Sequence, residues 1–182
     1  PFQMWLDGLY MAGPFSAMYA HRFNMPQDFD DIAWQFTLME QMARDSETGL
    51  LYHGWDESRQ QRWSNPQTGC SPHFWGRAMG WYAMALVDVL ELLPADHPGY
   101  APVQNVLQRL LSAILRVQDP VSGTWYQVLD QVSPQGIPRA GNYREASASC
   151  MFVYALAKSV RLGYAAGDSA PVYLNAAQRA YA

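Results

Sequence analysis

The chain has 182 residues, of which 49% are hydrophobic and 15% charged, with a formal net charge of -4 at pH 7. This is the composition of one globular domain with a sizeable core, and it excludes an intrinsically disordered segment. With no basic stripe to displace counterions from phosphates, no nucleic-acid partner is expected; with no apolar run long enough to cross a bilayer, no membrane partner is expected either. An anionic ligand would have to be met by locally placed arginines.

The chain begins Pro1-Phe2-Gln3-Met4-Trp5, without the basic start and cleavage pattern of a signal peptide, which leaves its compartment open. The next stretch, Trp5-Leu6-Asp7-Gly8-Leu9-Tyr10-Met11, sets one carboxylate among apolar and aromatic side chains. A buried carboxylate without a partner is costly and responds by holding its proton to higher pH. Asp7 therefore reads either as a helix cap or as an acid meant to be protonated, with Trp5, Leu9, Tyr10 and Met11 as its apolar setting. Residues 9–22 have helical periodicity that Pro14 weakens.

Residues 30–42, DDIAWQFTLMEQM, place Ile32, Phe36 and Met39 on one stripe behind an acidic first turn, the pattern of an amphipathic helix. Comparable helices are predicted over 76–93, 101–117, 146–162 and 171–181. Loops rich in Asn, Pro, Ser and Gly separate them, and no low-complexity linker divides the chain. Residues 48–56, TGLLYHGWD, align with residues 122–130, SGTWYQVLD, at an offset of 74, and WYAMAL at 81–86 aligns with MFVYAL at 151–156 at an offset of 70. The repeating unit is helix, short extended segment, long loop, helix. Units that cannot bury their apolar faces alone must stack, so the expected architecture is all-α: hairpins arranged as a solenoid or closed into an α/α toroid.

Four places carry candidate chemistry. Asp7 is the first. His53 is the second: Leu51, His53 and Trp55 are expected to share one face of an extended segment, with His53 near its end. The third is HFWGRAMGWY at 73–82, where Arg77 and Trp81 lie one helical turn apart and Trp75 flanks the arginine. A guanidinium between tryptophans can take a carboxylate through two parallel hydrogen bonds, or can merely staple helices by stacking. Gly76 and Gly80 are read as leaving space for an approaching ligand. The fourth, GNYREAS at 141–147, offers Tyr143, Arg144 and Glu145 to the same mouth, or else a charge pair at a helix start. Cys70 and Cys150 read as packing thiols. His21, His53, His73 and His97 lack zinc-ligand spacing, and neither a glycine-rich phosphate loop nor a Gly-x-Ser-x-Gly elbow occurs, so no metal and no cofactor are expected.

Taken together, WLDGLYMAGPF, GLLYHGWDES, FWGRAMGWYAMAL and NYREASASCMFVYALAKSVRLGY resemble the unsaturated rhamnogalacturonyl hydrolases, relatives of the unsaturated glucuronyl hydrolases. The resemblance runs over essentially the whole chain. It implies an (α/α)6 barrel of alternating inner and outer helices, of which residues 1–182 would form about half, as a single domain lacking helices at both ends. It implies an unsaturated oligosaccharide substrate of the pectin type, with Asp7 as general acid/base and Trp5, His53, Trp75, Arg77 and Trp81 lining the sugar pocket. It also implies a second aspartate on an earlier inner helix outside this sequence. Competing expectations are a two-carboxylate glycosidase or a sugar epimerase on the same fold, or a non-catalytic sugar-binding domain.

Overall fold

The computed structural model describes residues 2–165 and 167–182. The elements in order are β1 (Gln3–Trp5), α1 (Leu6–Phe23), α2 (Asp28–Ala43), β2 (Gly54–Asp56), α3 (Gly76–Leu92), α4 (Tyr100–Arg116), α5 (Ala146–Arg161) and α6 (Ser169–Tyr181). Successive helices form three hairpins. α1 packs on α3 and α3 on α5, giving an inner row, while α2 packs on α4 in an outer row. The result is an arc of an α/α toroid.

The layers follow from where each helix keeps its apolar side chains. α3 touches neighbours on both sides and an outer helix behind, and it buries Ala78, Met79, Tyr82, Ala83, Leu86 and Val89 around most of its circumference. α4 is covered on one side only, so Val103, Val106, Leu107, Leu110 and Ile114 form a single stripe opposite a polar face. α1 runs unbroken through Pro14, and its start reaches back to Leu6, earlier than the periodicity suggested. Proline there removes one backbone hydrogen bond, a loss that packing of α1 against α2 and α3 offsets.

The arc has two open margins. Along α1, Met11, Phe15, Met18 and Phe23 form an exposed apolar stripe, with Phe15 67% accessible. At the other end Val172, Leu174 and Tyr181 of α6 are exposed.

The sequence repeat is visible as a hydrogen-bonded turn. Asp45 N–H donates to Leu50 O (2.9 Å) and Gly49 N–H to Asp45 O (2.9 Å), while the Asp45 carboxylate accepts the Thr48 N–H (2.8 Å). Asp119 repeats each bond with Thr124, Gly123 and Ser122. A third copy, Asn65 to Cys70, uses an asparagine in place of the aspartate, with Gly69 N–H to Asn65 O at 2.7 Å and Thr68 N–H to Asn65 Oδ1 at 3.0 Å. Gly49, Gly69 and Gly123 have φ of 73, 80 and 73°, so glycine is required at this position by the left-handed backbone. The first and last of these turns end α2 and α4 and send the chain back toward the start of the next inner helix.

Candidate active site

β1 pairs antiparallel with β2 in the register Gln3↔Asp56 and Trp5↔Gly54, so a strand at the start of the chain is tied to the segment carrying His53. Gly54 is needed for this approach: a Cβ there would meet the Trp5 ring at 2.8 Å. The backbone N–H of Leu6, the first helical donor of α1, goes to the carbonyl of His53 at 3.1 Å. The helix therefore starts without a side-chain cap, its N-cap being Trp5.

Asp7 thus sits inside the first turn of α1 and is not a cap, which removes that reading of it. It is half-buried, and no hydrogen bond or ion pair to its carboxylate occurs among the described residues. The apolar setting read from its neighbours is only partly realised, because consecutive helical residues point different ways: Leu9 turns into the core and Met11 is 62% exposed. Trp5 and Tyr10 remain beside the mouth.

The aromatic side chains link up across the rim. Trp5 lies 5.8 Å from His53 and 4.8 Å from Trp63, and His53 meets Trp75 edge-on at 5.7 Å between centroids. The Arg77 guanidinium stacks 4.7 Å from the Trp75 ring and faces Glu145 Oε1 at 3.6 Å. Trp81 packs on Tyr10 at 4.6 Å, joining α3 to α1. Asp7 precedes Tyr10 by one turn of α1, and Arg77 precedes Trp81 by one turn of α3, so the carboxylate and the guanidinium stand at the same end of this inner seam. Arg77 remains 40% exposed, which leaves part of its donor fork for a ligand.

The aspartate shared by the two repeat copies anchors this rim twice. The fully buried Asp56 accepts from Ser58 Oγ (2.7 Å) and from the N–H groups of Gln60 (2.8 Å) and Gln61 (2.9 Å), fixing the loop that carries Trp63. Burial pushes the Asp56 carboxyl up, but the Gln61 N–H, the Ser58 hydroxyl and the N–H groups of Gln60 and Ser58 more than reverse it, so its pKa lies below the ordinary value. Asp130 accepts the Phe74 N–H at 3.2 Å and meets His73 Nδ1 at 2.8 Å, holding the segment that leads into Trp75.

Several expectations need correction. His53 does not share a face with Leu51 and Trp55: the chain bends at His53, which stays half-exposed with Nδ1 3.1 Å from both His73 O and Ser71 Oγ, while Leu51 and Trp55 are buried. Gly76 and Gly80 make room for protein and not for a ligand; a Cβ at Gly76 would meet Tyr126 O at 2.9 Å, and one at Gly80 would meet Met151 at 2.9 Å. Arg144 and Glu145 do not pair with each other. Arg144 bridges to Asp119 at 3.1 Å, and Glu145 caps α5, accepting from Ala148 N–H. Cys70 is a buried thiol as expected, but Cys150 is exposed. Sequence reasoning missed Trp63; it offered Glu145 to the mouth, where the residue does face Arg77, but did not foresee that partner. A lone tryptophan in the polar run QQRWSNPQTG was a usable signal, whereas nothing local ties Glu145 to Arg77.

An α/α arc that gathers a carboxylate, an arginine and aromatic rings at the start of its inner helices offers flat faces to sugar rings and a cation to a carboxylate. The chain belongs to glycosyl hydrolase family 88, whose family model matches residues 1–182. It is 44% identical over 172 residues to the 24.9 kDa protein in the picA locus of Rhizobium radiobacter, covering 94% of this chain and 70% of that protein. It is 34% identical over 162 residues to the unsaturated rhamnogalacturonyl hydrolase YesR of Bacillus subtilis, covering 89% of this chain and 42% of that one. A family 105 glycoside hydrolase from C. acetobutylicum ATCC 824 superposes with a TM-score of 0.91 at 50% identity, over 100% of this chain and 48% of the other. The chain therefore spans about half the length of that solved structure.

Proposed function

We propose that the protein releases an unsaturated galacturonyl residue, bearing a C4=C5 double bond, from the non-reducing end of lyase-generated pectin-type oligosaccharides. The observation that carries this reading is the placement of Asp7 and Arg77 at the same end of the α1–α3 seam, each one turn before the Tyr10–Trp81 contact. Arg77 recognises the uronate carboxylate while Trp5, Trp75 and Trp81 face the ring and His53 meets its hydroxyls.

In this reading Asp7 acts as a general acid and then as a base. It gives its proton to C4, and positive charge develops at C5, shared with the ring oxygen. Its carboxylate then takes a proton from water as the oxygen bonds to C5. The resulting hemiketal opens by breaking the bond between C5 and the ring oxygen, which leaves a ketone at C5 and a hemiacetal at C1. Collapse of that hemiacetal releases the neighbouring sugar. The bond changes begin at the double bond, so the carboxylate spacing that separates retaining from inverting glycosidases has no bearing here. The kinship with YesR supports a rhamnogalacturonan-type substrate.

The test is spectroscopic. The full-length protein carrying this chain should abolish the ultraviolet absorbance of an unsaturated galacturonyl-rhamnose disaccharide and leave its saturated counterpart intact. Cleavage of a saturated aryl glycoside with comparable efficiency would assign it to conventional glycosidases.

A further inference from the structure

Arg77 is the cation that the proposed reaction needs, yet little holds it. Its guanidinium makes no hydrogen bond among the described residues and its side chain is 40% exposed; its partners are the Trp75 ring at 4.7 Å and Glu145 Oε1 at 3.6 Å from Nη1. Stacking sets the plane of a guanidinium but lets it slide over the ring. A fixed position within that plane has to come from a charge at its edge.

Glu145 is built as such a charge. It is the N-cap of α5 and is buried, 7% exposed. Its carboxylate accepts the Ala148 N–H, and the Ser147 hydroxyl lies 2.7 and 2.9 Å from its two oxygens. The backbone is held as well: Glu145 N–H donates to Trp125 O (2.8 Å), and its carbonyl accepts the Ser149 N–H (3.1 Å) and hydroxyl (2.8 Å). None of these bonds involves Arg77. The carboxylate is therefore fixed independently of the arginine, and the positive end of the α5 dipole offsets part of the cost of burying it.

At 3.6 Å the contact is an ion pair and not a hydrogen bond, so it aligns the guanidinium without using up an N–H. Orientation and charge act in opposite directions on an incoming anion. Glu145 repels a substrate carboxylate, but across the width of a guanidinium in a half-exposed site, where solvent weakens the repulsion. Losing the anchor frees a long side chain that must then be ordered when the ligand binds. Orientation is the larger effect.

We propose that Glu145 is a positioning residue: from the neighbouring inner helix it holds Arg77 over Trp75 with the guanidinium N–H groups free, preset for the uronate carboxylate. This rests on the function proposed above, and the experiment separates the two. In the full-length protein, Glu145→Gln keeps an oxygen for the Ala148 N–H and removes the charge. KM for the unsaturated galacturonyl-rhamnose disaccharide should rise about threefold to fivefold with kcat unchanged, the upper range for a partly exposed ion pair and the signature of lost uniform binding. In an Arg77→Ala background the same substitution should change neither. An equal loss in both backgrounds, a fall in kcat alone or a lower KM would overturn the assignment. If Glu145→Gln does not fold, Glu145→Asp serves, since aspartate caps a helix well but withdraws the charge by one methylene, and the same rise in KM is expected. A second readout needs no turnover. In protein carrying isotope-labelled arginine, the Arg77 Nε–H resonance, identified by its absence in Arg77→Lys, should stand apart from those of freely rotating arginines in the parent and move among them in the Glu145 variant. An unmoved resonance rejects the positioning role. If the parent leaves the disaccharide intact, the function proposed above fails, and this resonance alone decides.

Discussion

At Asp7 the local structure separates a catalytic from a structural role. The residue lies in the first turn of α1 without capping it, so its structural contribution is limited to a favourable position near the positive end of the helix dipole. That is worth about 0.3–1 kcal/mol, so Asp7→Asn should melt within a few degrees of the parent. Loss of a general acid/base typically costs about 10² to 10⁴ in rate. The expected outcome for Asp7→Asn in the full-length protein is therefore a normal thermal transition with turnover reduced by at least two orders of magnitude; near-parental turnover would remove Asp7 from the chemistry. The identities of Trp5, His53, Trp75, Arg77 and Trp81 as one rim were legible from their motifs, but their orientation was not. His53 sits at a bend where the period-two alternation of a strand no longer holds, and Arg77 is oriented by Glu145, which lies 68 positions later in the chain.

Among the elements, the repeated turn is what makes the fold regular. Its acidic member in the second hairpin, Asp119, is raised by burial, but the hydroxyl and N–H of Ser122 and the guanidinium of Arg144 bring it below its ordinary value of 3.8. A carboxyl whose folded pKa is depressed adds stability above its unfolded pKa and loses it as pH falls through the folded value. The stability advantage of the parent over Asp119→Asn should accordingly stay constant from neutral pH to about 4 and shrink below that, a trend that urea titrations at several pH values can measure. The helices were readable because each carries its own periodicity, and the ends of the first and last turns because Thr48-Gly49 recurs as Ser122-Gly123 at an offset of 74. The third turn escaped because asparagine replaces aspartate within a loop that looked merely irregular. β1 escaped because three residues carry no periodicity and its partner strand is distant.

Considered whole, the arc leaves apolar side chains uncovered at both margins, on α1 and on α6. Contiguous exposed apolar surface on a soluble chain marks an interface or a site of self-association. Residues 1–182 expressed alone should bind a hydrophobic dye strongly and scatter light at micromolar concentration. A chain extended by the further length present in the C. acetobutylicum relative should do neither; equal dye binding by both would mean that the extra length does not cover these margins. The arc itself was legible from the stacking of repeat units, but the margins were not. α1 has apolar residues around much of its circumference, and its sequence does not mark which side faces a neighbour.

The strand pairing between Gln3–Trp5 and Gly54–Asp56 has a consequence for the order of events in folding. Helical hairpins form from contacts close in the chain, whereas this pairing closes a loop that encloses α1 and α2, and such contacts carry the larger entropic cost. The placement of Trp5, and through it the entry into Asp7, is then among the last features to be acquired and the first to be released by local opening. Catalytic competence should fade at a denaturant concentration below that at which helical circular dichroism begins to fall. Coincident midpoints for the two signals would show that the rim and the helices form a single cooperative unit.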